Sequence, residues 1–372
     1  MYFNAVIGQE KIKKAIKDMC KFGYVSHSQL FIDGNGYGGL PIALNFALLL
    51  IYGEDSLNIF ISKGTKTKKL LQNPDLHFIY PIYSNKKSKK SLDYIKEWFL
   101  FIEKNIYGSY SDWLSEISFE NKEGIIGVNE IENLQKHIHL KSFFGGNKVV
   151  LIWGIDKMTL AASNKILKLL EEPPKDTFFL MVAEDNFKLL PTISSRCQIT
   201  YLNPIEDDYI KDYIKKNNIN KINFNTALGS VRKLNSIIKN NYYSDYESLI
   251  IELLRLSFNL NKEKVNIILL FDWVDKVSLL GREKIKDFFY YSVDFLRDAF
   301  LLNFNLTELV HFQSSNNFEL KKLSPFITEK NFKKFVNLFE NSQNQIEQNA
   351  NTKMLLTEIV LKTKKYINLS ND

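Results

Sequence analysis

The sequence predicts an α/β domain built on a parallel, nucleotide-binding-type sheet, followed by a small helical domain and an all-helical C-terminal domain. Three observations predict it. The first is the order strand, glycine turn, helix: Gln29-Leu30-Phe31-Ile32, then Asp33-Gly34-Asn35-Gly36-Tyr37-Gly38-Gly39-Leu40, then a helical stretch from Pro41 to Tyr52. The second is a pair of almost wholly apolar runs, Lys148 to Trp153 and Thr177 to Val182, typical of central parallel strands buried on both faces. The third is a change of texture after Tyr201, beyond which the segments turn helical. The expected domain boundaries are 1–201, 202–241 and 242–372, since 372 residues exceed the usual size of one core.

Each element follows from spacing and punctuation. After Val6-Ile7-Gly8-Gln9-Glu10, the residues Ile12, Ala15, Ile16 and Met19 recur at helical intervals and predict an amphipathic helix on a core. His27-Ser28 introduces the first strand. No second histidine or carboxylate stands at metal spacing from His27, which receives no catalytic role. Pro41 opens the next helix, as proline favours the first helical position. The chain is polar and lysine-rich from Glu54 to about Lys69, and Asn73-Pro74-Asp75-Leu76-His77-Phe78-Ile79 is a turn entering a strand. Lys86, Lys87, Lys89 and Lys90 form a charge run in a loop, readable as a solvated face or as a DNA contact. Tyr94, Trp98, Phe99, Phe101, Tyr107 and Trp113 are spaced as a helical core face rather than a base-stacking platform.

Gly127-Val128-Asn129-Glu130-Ile131 begins a helix expected to end near Gly145-Gly146. Past Asp156-Lys157-Met158-Thr159, Ala161 to Leu170 carries the apolar face Ala162, Ile166, Leu169 and Leu170, and it stops at Glu171-Glu172-Pro173-Pro174. A small polar unit to about Asn240 contains Gly229-Ser230-Val231-Arg232-Lys233. Beyond Ser244 the segments Leu249 to Phe258, Val265 to Val274 and Lys284 to Leu302 read as helices.

Composition bounds the function. With 45% hydrophobic and 24% charged residues the chain is that of a soluble globular protein. A formal charge of +7 and a pI of about 8.9 fit nucleic acid, an acidic partner or simply a lysine-rich surface. Only Cys20 and Cys197 occur, far apart and in no C-x-x-C pair, so neither a disulfide framework nor a cysteine zinc site is supported, which favours a reducing cytosol. The N-terminus lacks a basic region followed by an apolar core, and the longest apolar run, Phe46 to Tyr52, is too short for a bilayer, so a cytoplasmic protein away from the membrane is expected.

The glycine turn carries the chemical argument. A working phosphate-binding loop is Gly-x-x-x-x-Gly-Lys-Ser/Thr, whose backbone amides cradle phosphates while the lysine reaches the β/γ-phosphates and the hydroxyl binds Mg²⁺. Aligned on Gly38, this chain has Asp33 for the first glycine, Gly39 for the lysine and Leu40 for the hydroxyl; Gly34 and Gly36 preserve the turn. The strand that should end in Asp-Glu, the Walker B pair that holds Mg²⁺ and activates water, ends in Trp153-Gly154. Neither cation is provided for.

Taken together, the order and spacing of several short motifs resemble the AAA+ clamp-loader family of bacterial DNA polymerase III. The motifs are Ile7-Gly8-Gln9-Glu10, His27-Ser28-Gln29-Leu30-Phe31, Asn73-Pro74-Asp75-Leu76-His77, Lys165 to Pro174 and Ser195-Arg196-Cys197. Leu296-Arg297-Asp298 and Asn349-Ala350-Asn351-Thr352-Lys353 resemble its collar signatures, so the match runs from Val6 to about Thr363. The resemblance implies an AAA+ domain, a helical lid and a helical collar. It also implies that Arg196, with Ser195 and Cys197, is an arginine finger reaching a neighbour's ATP; the residue-level alternative is a helix-terminal arginine in a local ion pair. Arg232 takes the sensor-2 position, with a structural role expected here. Many relatives carry four zinc-binding cysteines after the first helix, and Ser56 to Gln72 contains none, so no zinc is expected.

Two readings from different classes result. One is a non-hydrolysing stator that binds no ATP, Mg²⁺ or zinc. It would work with gamma/tau motor and delta subunits to place a sliding clamp on primed DNA. The other is an active AAA+ motor, which a glycine turn with weak anion affinity does not exclude. An independent DNA-binding protein has only the charge and the lysine runs behind it.

Overall fold

A computed structural model describes residues 6–83, 90–117, 124–184, 189–217, 229–239, 242–259, 267–310, 312, 314 and 317–368. Lys86, Lys87 and Lys89 of the charge run, Met1 to Ala5 and Val265 lie outside them. The chain divides into two compact units, Met1–Asn220 with Ala227–Leu234, and Lys221–Thr226 with Asn235–Asp372.

The first unit is a parallel sheet with helices on both faces. Its strands are β1 (Ser28–Ile32), β2 (Leu76–Ile79), β5 (Lys148–Trp153), β6 (Thr177–Ala183) and β7 (Gln198–Tyr201), paired in parallel in the order β2-β5-β6-β1-β7. The short strands β3 (Ile82–Tyr83) and β4 (Gly124–Ile125) form a separate antiparallel pair. Every residue of β1 and β5 is buried, which accounts for their continuous apolar composition. Alternate residues serve two cores: Val149, Leu151 and Trp153 join one, and Val150 and Ile152 join the other.

The unit's helices are α1 (Glu10–Phe22), α2 (Gly39–Ser62), α3 (Thr67–Leu71), α4 (Ile95–Asn105), α5 (Tyr110–Ile117), α6 (Val128–Ile138), α7 (Leu160–Glu171), α8 (Pro191–Ser194), α9 (Asp207–Lys216) and the part of α10 (Val231–Lys239) up to Leu234. The first half of α2 packs on one sheet face together with α4 and α5, whose Trp98, Phe101 and Trp113 are buried as the spacing requires. Ile131, Leu134 and Ile138 of α6 and Ala162, Ile166, Leu169 and Leu170 of α7 cover the other face. On length and composition α2 could cross a membrane, but 67% of its most apolar stretch is buried inside the protein, where it serves as a core helix.

Two helices of this unit depart furthest from the sequence expectation. Helix α2 begins at Gly39 rather than Pro41 and continues to Ser62 through a break at Gly53 (φ 73°), so Pro41 stands within the first turn. Helix α6 ends at Ile138 and not near Gly145-Gly146. The Lys148 ammonium donates to the carbonyls of Ile138 and, at 2.8 Å, Leu140, which satisfies the helix terminus early. The amides of Phe143 and Phe144 then donate to the buried Asp75 carboxylate at 2.7 and 3.2 Å, holding the following segment as a loop.

The second unit is helical: α11 (Tyr242–Asn259), α12 (Ile267–Ser278), α13 (Arg282–Asn303), α14 (Leu320–Leu323), α15 (Glu329–Glu347) and α16 (Thr352–Ile367) around one apolar core. The two collar-like motifs have structural duties. Asn349 is left-handed (φ 65°), and Asn351 caps α16 by accepting the Met354 amide at 3.2 Å. Buried Asp298 lies 3.3 Å from Arg297.

Candidate functional site

Two features singled out in the sequence lie at opposite ends of the sheet. The glycine turn leaves the C-terminal end of β1, whereas Ser195-Arg196-Cys197 enters the N-terminal end of β7, and β1 and β7 run parallel with Gln29 opposite Gln198 and Ile32 opposite Tyr201. The full length of β7, Gln198 to Tyr201, lies between Arg196 and the level of Asp33, about 10 Å of strand.

At the loop end, local backbone geometry turns the amides inward. Gly36 (φ 74°) and Gly38 (φ 115°) are left-handed, conformations that side-chain-bearing residues resist. The amides of Tyr37, Gly38 and Gly39 converge on one acceptor, the Asp33 carboxylate. Tyr37 donates to Oδ1 at 2.5 Å, and Gly38 and Gly39 donate to Oδ2 at 3.3 and 2.7 Å. Asp33 is only 3% exposed, and its own amide is fixed on the Ala183 carbonyl at 2.8 Å. Leu40, in the hydroxyl position of a working loop, is buried in the α2 core.

Segments distant in sequence close over this turn. Ser230 Oγ donates to the Asn35 carbonyl at 2.5 Å. Arg232 lies against Gly36, where its side chain would collide with any added Cβ, and pairs with Glu184 at 2.5 Å; its Nε donates to the Tyr107 carbonyl at 3.3 Å. Tyr107 in turn accepts the Ile7 amide at 2.7 Å, and Gln9 donates to the carbonyls of Asn203 and Tyr37 at 2.6 and 3.3 Å. Thus the Ile7-Gly8-Gln9 motif and Arg232 both meet the loop.

Glu184 and Asp156 are site residues that sequence reasoning did not select. Glu184 immediately follows β6, at the C-terminal end of a central parallel strand, where such sheets place their sites. That position was the available signal. Asp156 accepts from the Tyr110 hydroxyl at 3.0 Å and the Glu184 amide at 3.4 Å. Burial pushes both carboxyls above their usual range, against the opposing pull of Arg232 on Glu184 and of Lys157 on Asp156. For Arg232 burial works against the charge, and the Glu184 and Asp33 carboxylates outweigh it, holding the guanidinium above its ordinary value.

Trp153 and Gly154, expected from the sequence at the acidic-pair positions, end β5 and begin the turn after it. Trp153 is 1% exposed, with Trp98 and Tyr110 rings centred 5.3 and 4.6 Å away, and Gly154 (φ 85°) leads into a short 3-10 turn.

At the opposite end, Arg196 is one-third exposed. Its Nη2 pairs with Glu171 at the end of α7 at 2.5 Å, and Nη1 donates to the Thr192 carbonyl at 2.8 Å and the Ser195 hydroxyl at 3.4 Å. The adjacent Cys197 Sγ lies 3.1 Å from the Ile193 carbonyl, and burial pushes its thiol up to about 11. Because the thiolate is the reactive species, iodoacetamide at pH 8 is expected to label Cys197 at least about tenfold more slowly than an unperturbed cysteine. Peptide mapping before and after urea checks this, and equal rates in the two states would contradict it.

Comparison with known proteins adds three findings. The profile of the family described as "DNA polymerase III, delta subunit" matches residues 8–206. A DNA polymerase III subunit delta' from Buchnera aphidicola subsp. Baizongia pistaciae is 32% identical over 40% of this chain and 54% of that protein. The subunit delta' of Bacillus subtilis is 34% identical over 55% and 50%. The chain spans about half the length of these relatives. Among solved structures, a DNA polymerase III gamma subunit-related protein from Thermotoga maritima covers 95% of this chain and 99% of its own at 18% identity, with a TM-score of 0.35.

Proposed function

The chain belongs to the family described as DNA polymerase III, delta subunit, and from that premise we propose that it is a delta-prime-type, non-hydrolysing subunit of a clamp loader. In this reading it completes a ring with gamma/tau motor and delta subunits in the cytoplasm. The ring places a sliding clamp on primed DNA, while this subunit presents Arg196 to the ATP of a neighbouring motor and binds no nucleotide, Mg²⁺ or zinc itself.

The observation that carries the proposal is the separation of the two ends of the sheet. Arg196, partly exposed and paired with Glu171, stands beyond the far end of β7 from the chain's own loop, so its guanidinium fork serves a phosphate only when another subunit brings one. The loop end supports the same reading. Gly39 and Leu40 offer neither cation nor hydroxyl, Trp153 occupies the acid's place, and the loop amides are engaged by Asp33, so these residues do not fit Mg²⁺–ATP.

Equilibrium binding of ATP with Mg²⁺ to the isolated full chain, followed by γ-phosphate release on the same sample, tests the non-hydrolysing part. Neither binding nor turnover is expected. Micromolar affinity with turnover would overturn the reading and make the chain a motor.

A further inference from the structure

We propose that the Asp33 carboxylate is the resident anion of the glycine loop, occupying the amide nest that a phosphate would occupy, and that its removal opens a site for a phosphate-type anion. A backbone nest at a helix N-terminus concentrates partial positive charge and takes an oxyanion through several N–H donors at once. Here Tyr37, Gly38 and Gly39 deliver that donation to the two oxygens of one buried carboxylate from the same loop.

The fit is filled from every side. A Cβ on Gly39 would come within 2.8 Å of the Asp33 Cβ and 2.9 Å of Val182, so Asp33 takes the volume directly against the loop backbone. Ser230 and Arg232 close the turn at Asn35 and Gly36. Without Asp33 the three amides lose their acceptor, and Arg232 is already beside them. Asp33 thus makes the fold of this end of the sheet independent of any bound nucleotide. The inference stands apart from the role of Arg196, because its evidence lies wholly at the loop end.

The test uses the full chain and pyrophosphate as the probe. Isothermal titration is expected to detect no saturable binding to the wild type and binding at least about tenfold tighter to Asp33→Gly, accompanied by a pyrophosphate-dependent rise in its melting temperature. Saturable wild-type binding, or a folded Asp33→Gly that binds no better than wild type, overturns the proposal while leaving the Arg196 reading in place. Should Asp33→Gly fail to fold, amide hydrogen exchange decides. Protection of Tyr37 and Gly39 in the wild type that is lost at one of the two in Asp33→Asn, which keeps a single acceptor oxygen, supports the carboxylate as their acceptor; rapid exchange of both in the wild type, or unchanged protection of both in Asp33→Asn, overturns it.

Discussion

If Arg196 acts as proposed, replacing it with alanine in a reconstituted clamp loader is expected to slow hydrolysis at one neighbouring ATP site by on the order of 10³-fold, with assembly intact. The effect is large because a fixed guanidinium stabilises charge that develops only in the transition state of phosphoryl transfer. The cost to this chain is small by comparison. The Arg196–Glu171 pair is partly exposed, 35% and 47% at the two side chains, and exposed pairs contribute about 0–1 kcal/mol, so folding and ring formation should survive. Steady-state ATPase of the whole complex should fall by about the share of that site. Arg196→Lys should restore little, because an ammonium lacks the planar fork. Subunit stoichiometry by mass photometry controls for assembly. An unchanged ATPase rate in a fully assembled ring removes the finger assignment.

Truncating Trp98 to alanine should destabilise the first unit by about 3–5 kcal/mol, the range for a fully buried large aromatic. Trp98 is the hub of an aromatic cluster. Tyr80 stacks on it at 4.2 Å, and Phe101, Trp113 and Trp153 surround it at 5.8, 5.2 and 5.3 Å. It is 0% exposed, and its indole N–H has no hydrogen-bond partner among the described residues. Packing rather than polarity holds it there, so Trp98→Phe should recover most of the loss. Urea unfolding followed by near-UV circular dichroism measures both; equal losses in the two variants would refute the packing argument. The same cluster explains why the Walker B acid cannot simply be put back. Trp153→Asp would place a carboxylate among these rings, where burying an unpaired charge costs several kcal/mol.

The part of the fold legible in the amino-acid order lies in local pattern. Continuous apolar runs bounded by glycine and proline identify β1, β5 and β6, because strands covered on both faces need no polar alternation. The loss of lysine, hydroxyl and acids at Gly39, Leu40, Trp153 and Gly154 is equally direct, since it depends only on residue identity at a motif position. The end of α6 is not legible in the glycines because it is set by Lys148, ten residues beyond Ile138, and the loop after it by Asp75. Tertiary structure alone decided what became of the loop. Asp33 reads in sequence as a misplaced acid; only the left-handed turns at Gly36 and Gly38 bring three amides onto its carboxylate, and only packing brings Glu184, Arg232, Tyr107 and Gln9 to the same place. Hydrogen-bond and charge partners are chosen by proximity in space, and proximity across so many residues is a property of the folded chain.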